Sequence, residues 1–365
     1  MEPHHTRRDF LKTAGAAALA AAALPVLAQD ANKKITVAVV GVAHIHTPGY
    51  LDLLKKRADV RIKYVWDHDA ARAEARAGET DVQAVADLKT IWADAEVSAI
   101  VVLSETNRHH ELVLAAAKAG KHLFVEKPLG ITSRESREMA DAIDQAGVLF
   151  TTGYFSRTDT KHLFLKDEIA KGNFGTITRV RASNSHNGSL GGWFDKDWRW
   201  MADPKIAGDG AFGDLGTHKL DILMWMLGDL EAVTGDIRAV THRYGDCDEC
   251  GEALLQFKSG VIATLAAGWV DIDDPVKLQI CGTQGHAVIY NEKLYYRSEK
   301  VEDSDSRKPV SKLPPEPKQP LNQFLDAVAG DKTQPLVPVK EAAARVTAMA
   351  AIYEAARDRK WVKLG

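Results

Sequence analysis

The sequence predicts an α/β protein of two domains: an N-terminal doubly wound parallel-sheet domain, then an α+β domain with an open, mainly antiparallel sheet. Three observations carry this. From residue 33 to 152 short β-branched runs alternate with helical stretches. Several of those runs are continuously apolar, as strands covered on both faces are. After residue 153 longer strands follow one another through tight turns. The 365 residues, 45% hydrophobic and 27% charged, suffice for two sizeable cores. A formal net charge of −3 excludes a strongly basic nucleic-acid binder, and 3 cysteines exclude a disulfide scaffold.

Residues 1–28 stand outside the fold. Thr6-Arg7-Arg8-Asp9-Phe10-Leu11-Lys12 precedes an alanine-rich run over 13–28, short of the about 20 residues that span a bilayer. Val26-Leu27-Ala28 places small residues where a signal peptidase cuts, so cleavage is expected after Ala28, with no stable membrane insertion afterwards. The Arg-Arg-x-Phe-Leu-Lys string resembles a twin-arginine export signal, which implies passage to the periplasm already folded, with a cofactor loaded beforehand.

In the first domain, 33–152, strands are expected at 35–40, 60–66, 82–85, 97–103, 122–125 and 148–152. Helices are expected near 49–57, 69–77, 88–93, 107–119 and 133–145, the last opened by the capping box Thr132-Ser133-Arg134-Glu135. Right-handed crossovers between such strands give a Rossmann domain. In the second domain, 153–365, a helix near 161–171 leads into a strand at 177–182. A Gly- and aromatic-rich loop and a long helix near 214–227 follow, then strands at 253–257, 261–267, 277–281 and 287–290. Lys258-Ser259-Gly260 reads as a hairpin turn, 298–320 as a charged, Pro-rich surface linker, and 339–357 as a final amphipathic helix.

The first strand–helix turn reads Gly41-Val42-Ala43-His44-Ile45-His46, in which only the first glycine of the dinucleotide fingerprint survives. Asp67, at the end of the second strand, is placed to accept hydrogen bonds from the adenosine ribose. That favours NAD; Arg72 beside it keeps NADP possible, and a helix cap is the plainer role for Asp67. Asp214, His218 and Asp221 stand at i, i+4 and i+7 on one helix face, so Asp214 can accept a hydrogen bond from His218 and set its tautomer. Lys127 falls at the carboxyl edge of the parallel sheet, where its ammonium can stabilise a developing alkoxide.

Three strings carry a family resemblance: Ser104-Glu105-Thr106-Asn107-Arg108-His109-His110, Val125-Glu126-Lys127-Pro128, and Asp214-Leu215-Gly216-Thr217-His218-Lys219-Leu220-Asp221, with Asp197-Trp198-Arg199 before the last. Over roughly 33–365 the chain resembles the Gfo/Idh/MocA family of NAD(P)-dependent sugar and cyclitol oxidoreductases. The resemblance implies catalytic roles for Lys127, Asp214 and His218 and a cis Lys127–Pro128 bond. It implies cofactor contacts from Gly41, Ala43, His44, Ile45, Asp67, Ser104, Asn107, His110, Glu126, Lys127, Trp198 and Arg199. Substrate contacts are expected from Lys127, Tyr154, His186, Arg199, Asp214 and His218, and a homodimer or homotetramer is expected through the second sheet.

Other patterns stay open. Trp193, Phe194, Trp198 and Trp200 either stack on a sugar or nicotinamide face or lock their loop to the core. His44 and His46 with His109 and His110 suggest a metal, but no carboxylate or cysteine in the sequence completes the set, so none is expected. Cys247 and Cys250 read as a local disulfide or free thiols. The expected function is an exported oxidoreductase acting on a secondary hydroxyl or ketone of a sugar, with tightly held NAD. The alternatives are an NAD-dependent glycoside hydrolase, working by transient oxidation and elimination, and a non-catalytic sugar or cofactor sensor.

Overall fold

The computed structural model describes residues 34–365; the signal segment expected over 1–28 lies outside the described residues. Five strands, β1 (Ile35–Val42), β2 (Val60–Trp66), β3 (Ala99–Leu103), β4 (His122–Val125) and β5 (Phe150–Thr152), form a wholly parallel sheet. The order β2-β1-β3-β4-β5 puts the topological switch between β1 and β3. Every residue of β1 and β3 is buried, which is why both read as unbroken apolar runs. Helices α1 (Thr47–Lys56), α2 (Ala70–Gly78), α3 (Leu88–Ala93), α4 (His109–Lys118) and α5 (Ser133–Ala146) make the crossovers, and Thr132 caps α5 by accepting from Glu135 N–H.

One expected strand is missing. Residues 82–85 lie beside the outer edge of β2 but make only an isolated bridge, Ala84 to Val65. The run is four residues long and follows Asp81, whose φ of 53° turns the chain, so a ladder has no length in which to form.

Helix α6 (Thr160–Ala170) leads into an eight-stranded sheet made of β6 (Ile177–Ser185), β7 (Leu230–Arg238), β8 (Cys250–Phe257), β9 (Ile262–Gly268), β10 (Val276–Gly282), β11 (Gly285–Tyr290), β12 (Lys293–Ser298) and β13 (Val362–Lys363). It is antiparallel except where β6 runs parallel to β9. Between them come α7 (Pro204–Ala207) and the long α8 (Ala211–Leu227), which packs on the sheet and buries Leu215, Leu220 and Leu223 with Leu265 and Trp269. The linker at 298–320 is irregular, yet Val310 and Leu313 pack against that same core.

The C-terminal helices return to the first domain. In α9 (Pro320–Val328), Leu321, Phe324 and Leu325 pack with Val37, Val39 and Phe124 of the parallel sheet. Helix α10 (Val339–Asp358) belongs to both cores: Val339, Ala342, Ala343 and Val346 join one, Ala348, Met349, Ala351 and Ile352 the other. It is therefore apolar on more than one face, unlike the amphipathic helix its sequence suggests. Asp221 of α8 is fully buried between two guanidiniums, Arg157 Nη2 at 2.6 Å and Arg345 Nε at 3.0 Å, and Arg157 also reaches Glu341 of α10. This third residue of the expected helix face is thus a joint between elements.

Candidate active site

The sheet edge at the β1–β3 switch is built for close approach. Gly41 has φ +76°, and a Cβ there would lie 2.3 Å from Ser104 Cβ, so only glycine lets the turn pass the strand. Asp67 ties the second strand to this turn: Oδ2 accepts from Val42 N–H at 2.7 Å, and Oδ1 from Asp69 N–H at 2.9 Å and from Arg72 at 2.8 Å. The cap of α2 is Asp69 rather than Asp67. Arg72 also reaches Glu105 at 2.7 Å.

Several buried polar atoms at this edge have no partner among the described residues: Thr47 Oγ1 at the start of α1, Ser104 Oγ, Glu105 Oε2 and Arg72 Nε. Buried polar groups are normally paired, so a row of unpaired ones beside a glycine turn and a helix N-terminus fits a phosphate- and ribose-bearing ligand. Ala43 and His44 are buried in the same turn, and Ile45 is half-buried. Asn107 is exposed on the turn before α4. His110 points outward to Glu138 at 2.8 Å, so the cofactor contact expected of it is not made from inside the edge. Its neighbour His109 is buried there instead, with its ring nitrogens on the carbonyls of Pro128, Leu129 and Ser104, beneath the cis Lys127–Pro128 bond.

Lys127 leaves β4 into a narrow crevice shared with His44, Thr106, Trp200, Asp209 and Asp214. Its Nζ donates to Asp214 Oδ1 at 2.7 Å, and Trp269 Nε1 donates to Oδ2 at 3.1 Å. Burial would raise the Asp214 carboxyl, but the Lys127 charge and hydrogen bond override it and hold the group at about 2. The expected Asp214–His218 hydrogen bond is absent: the carboxylate faces Lys127 and Trp269, and His218 Nδ1 is buried without a partner among the described residues. Helical spacing put the two residues on one face, but the carboxylate turns to a lysine from the other domain. Burial, then the Lys127 charge, push His218 well below its usual value, so its imidazole is neutral. Its ring packs on Phe155, with centroids 4.7 Å apart.

Other expected contacts fall elsewhere. The Tyr154 hydroxyl is buried against Thr217 Oγ1 at 3.0 Å, which removes it as a free acid. His186 Nδ1 accepts from Gly188 N–H at 2.9 Å while its ring packs on Trp193, so it stiffens its own loop. Arg199 bonds Ala202 O and lies 5.0 Å over the Tyr244 ring, lining a different depression from the Lys127 crevice. Trp198 packs against the second core, and Phe194 stacks on Trp269 at 4.2 Å. Trp200 is the loop aromatic at the crevice: its Nε1 donates to Ala43 O at 3.2 Å. Cys247 and Cys250 are both free thiols.

Two features escaped the sequence reading. Asp209 enters the crevice from the loop before α8, and burial, with Asp248 and Asp214 nearby, pushes its carboxyl up to about 7. Glu126, fully buried, meets His46 Nδ1 at 2.6 Å and His44 Nδ1 at 3.7 Å. The carboxylate missing from the histidine set in the sequence is therefore supplied by the end of β4, through a pairing 80 residues apart that only the parallel topology creates.

The fold and site define a Rossmann protein with a dinucleotide-type edge and a second, mainly antiparallel domain, and the comparisons agree. Residues 35–154 match the model for an oxidoreductase family with an NAD-binding Rossmann fold, and residues 162–288 match the GFO/IDH/MocA C-terminal domain. The chain belongs to the GFO/IDH/MocA family, and residues 4–24 match a twin-arginine translocation signal sequence. It is 30% identical over 231 residues to 1,5-anhydro-D-fructose reductase of Ensifer adhaerens, covering 60% of this chain and 65% of that one. It is 30% identical over 211 residues to levoglucosan dehydrogenase of Pseudarthrobacter phenanthrenivorans, covering 58% and 52%. The match thus spans less than two thirds of either relative. The WlbA dehydrogenase from Bordetella pertussis, solved with NADH and UDP-GlcNAcA, shares the fold with TM-score 0.78 at 19% identity, over 91% of this chain and 99% of that one. No helix among the described residues is long and apolar enough to cross a membrane.

Proposed function

We propose that the protein oxidises a secondary hydroxyl, or reduces the matching ketone, of a sugar or cyclitol, using NAD held at the β1–β3 edge, with NADP as the other candidate. The observation that carries this is the Lys127–Asp214 pair beside the unpaired Nδ1 of His218. Bound NAD would supply the hydride acceptor. Lys127 Nζ, positioned by Asp214, donates a hydrogen bond to the reacting oxygen and favours its alkoxide-like state. His218, neutral in the folded protein, takes the hydroxyl proton. The twin-arginine signal supports export to the periplasm. Free nicotinamide cofactor is scarce there, so the dinucleotide is retained between turnovers. On the second sheet, β6 buries Val180 and Ala182 and exposes Arg179 and Arg181, leaving an outer face for a second copy in a dimer or tetramer.

Heat-denaturing the purified protein and assaying the supernatant tests the reading: about one NAD(H) per chain is expected. No nucleotide, together with no thermal shift on adding it, would sink it. Asp67→Ser should weaken NAD by about 1.5–3 kcal/mol, as lost hydrogen bonds to a charged group do. An unchanged NAD titration would leave Asp67 only its bonds to Val42, Asp69 and Arg72.

Asp209 favours a second reading. A crevice carboxyl pushed to about 7 is a general acid at neutral pH, the group that a glycosidase needs to protonate a leaving oxygen. Aglycone release from a chromogenic glycoside without added NAD would support transient oxidation followed by elimination; no release across a sugar panel would favour the simple oxidoreductase.

A further inference from the structure

The turn that opens the nucleotide edge carries two imidazoles where the fingerprint has small residues, and both face one carboxylate. Among the described residues His44, His46 and Glu126 are the set whose ligand atoms all lie within 4.8 Å of one another. Glu126 is 0% exposed, and its ion-pair partners are those two histidines, with no lysine or arginine nitrogen within 4.0 Å among the described residues. Buried carboxylates are ordinarily paired with a cation or bind a metal.

The surroundings aim the carboxylate. Glu126 Oε2 accepts the backbone N–H of Lys127, which leaves Oε1 facing the imidazoles. Tyr50 donates its hydroxyl to Oε1 at 3.2 Å, a supporting bond of the kind that orients metal ligands. A Cβ at Gly153 would stand 2.5 Å from Oε2, so the neighbouring strand end is glycine where the carboxylate needs room. His44 Nδ1 accepts from His46 N–H at 3.2 Å, so that nitrogen is unprotonated, and its lone pair reaches a metal once this long bond opens. His46 has 39% of its side chain exposed, which gives an entry path from solvent.

We infer that His44, His46 and Glu126 form a binding site for one first-row divalent metal ion of the zinc type. Two imidazoles and one carboxylate suit such an ion better than magnesium or calcium, which take oxygen ligands. Bonds of about 2.0–2.1 Å at tetrahedral angles set ligand atoms about 3.3 Å apart. The observed 2.6 Å and 3.7 Å bracket that distance, so shifts of less than about 1 Å complete the set. Three protein ligands leave a fourth position, and His44 lines the Lys127 crevice, so an oxygen of a bound molecule can take it.

The test reads metal content rather than turnover. The purified full chain, stripped with chelator and dialysed against Zn²⁺, should retain one equivalent, and Co²⁺ in its place should show the visible bands of four-coordination. His46→Ala and Glu126→Gln should weaken retention at least about tenfold and abolish the bands, while His110→Ala, on the outer face of α4, should keep both. His46 is half-exposed at a helix start, so that variant carries the test if Glu126→Gln does not fold. No stoichiometric retention by the wild type, equal retention by His46→Ala, or equal loss in His110→Ala would overturn the site.

Discussion

Asp214 and Asp209 flank the N-terminus of α8, both partly buried, and they end in opposite states. Asp214 meets an ammonium and an indole N–H and stays ionised down to about pH 2. Asp209 meets other acids and, among the described residues, no hydrogen-bond partner, and holds its proton up to about pH 7. Behind it, Asp248 accepts from Gly210 N–H, Phe212 N–H and the Tyr353 hydroxyl, and burial nevertheless raises it. The contrast shows that one helix end can offer a fixed anion and a fixed proton side by side. What divides them is which strand supplies a cation, and β4 supplies it only to Asp214.

Breaking the paired side should have the largest effect. Lys127→Met leaves Asp214 buried without its cation, which should cost about 3–5 kcal/mol of unfolding free energy at pH 7, read by urea denaturation. The wild-type carboxyl lies below its unfolded value, so its contribution is present above about pH 4 and fades as pH falls towards 2; the variant should lose that dependence. A loss below about 1 kcal/mol would mean that the pair is solvated and the contrast shallow.

The unpaired side should respond with the opposite sign. Asp209 has a folded value above its unfolded one, so it costs stability progressively as pH rises from about 4 to 7 and fully above that. Asp209→Asn should therefore raise stability by about 1–3 kcal/mol at pH 8 and change little at pH 4, measured by denaturation at both. Equal effects at the two pH values would place the Asp209 proton elsewhere. Smallest is Tyr353→Phe, which removes the 2.9 Å bonds to Asp248 and from Gly213 N–H and should cost about 1 kcal/mol.

Much of this was legible in the chain because the signals are local. The apolar runs of β1 and β3, the Thr132 cap and the Gly41 turn each follow from a few adjacent residues. Strands β7 and β12 were missed because Asp236, Arg238, Lys293 and Arg297 interrupt their apolar pattern on the exposed face. Helix α9 was missed because it is short and follows a Pro-rich linker. Within the site, residue identities were readable and pairings were not. The spacing of Asp214 and His218 could not reveal that Lys127 and Trp269 arrive from elsewhere, nor could the His-x-His turn reveal Glu126.

The placement of α10 bears on how the molecule opens. A helix whose first half is embedded in one core and whose second half is embedded in the other acts as a splint across the two domains. Bending it would expose apolar side chains on both sides, so wide hinge motion is costly, and access to the crevice falls to the loop that carries Trp200. The amides of 342–352 should then exchange hydrogen only when the whole described unit unfolds, in a single cooperative step, while those of 186–203 exchange far sooner.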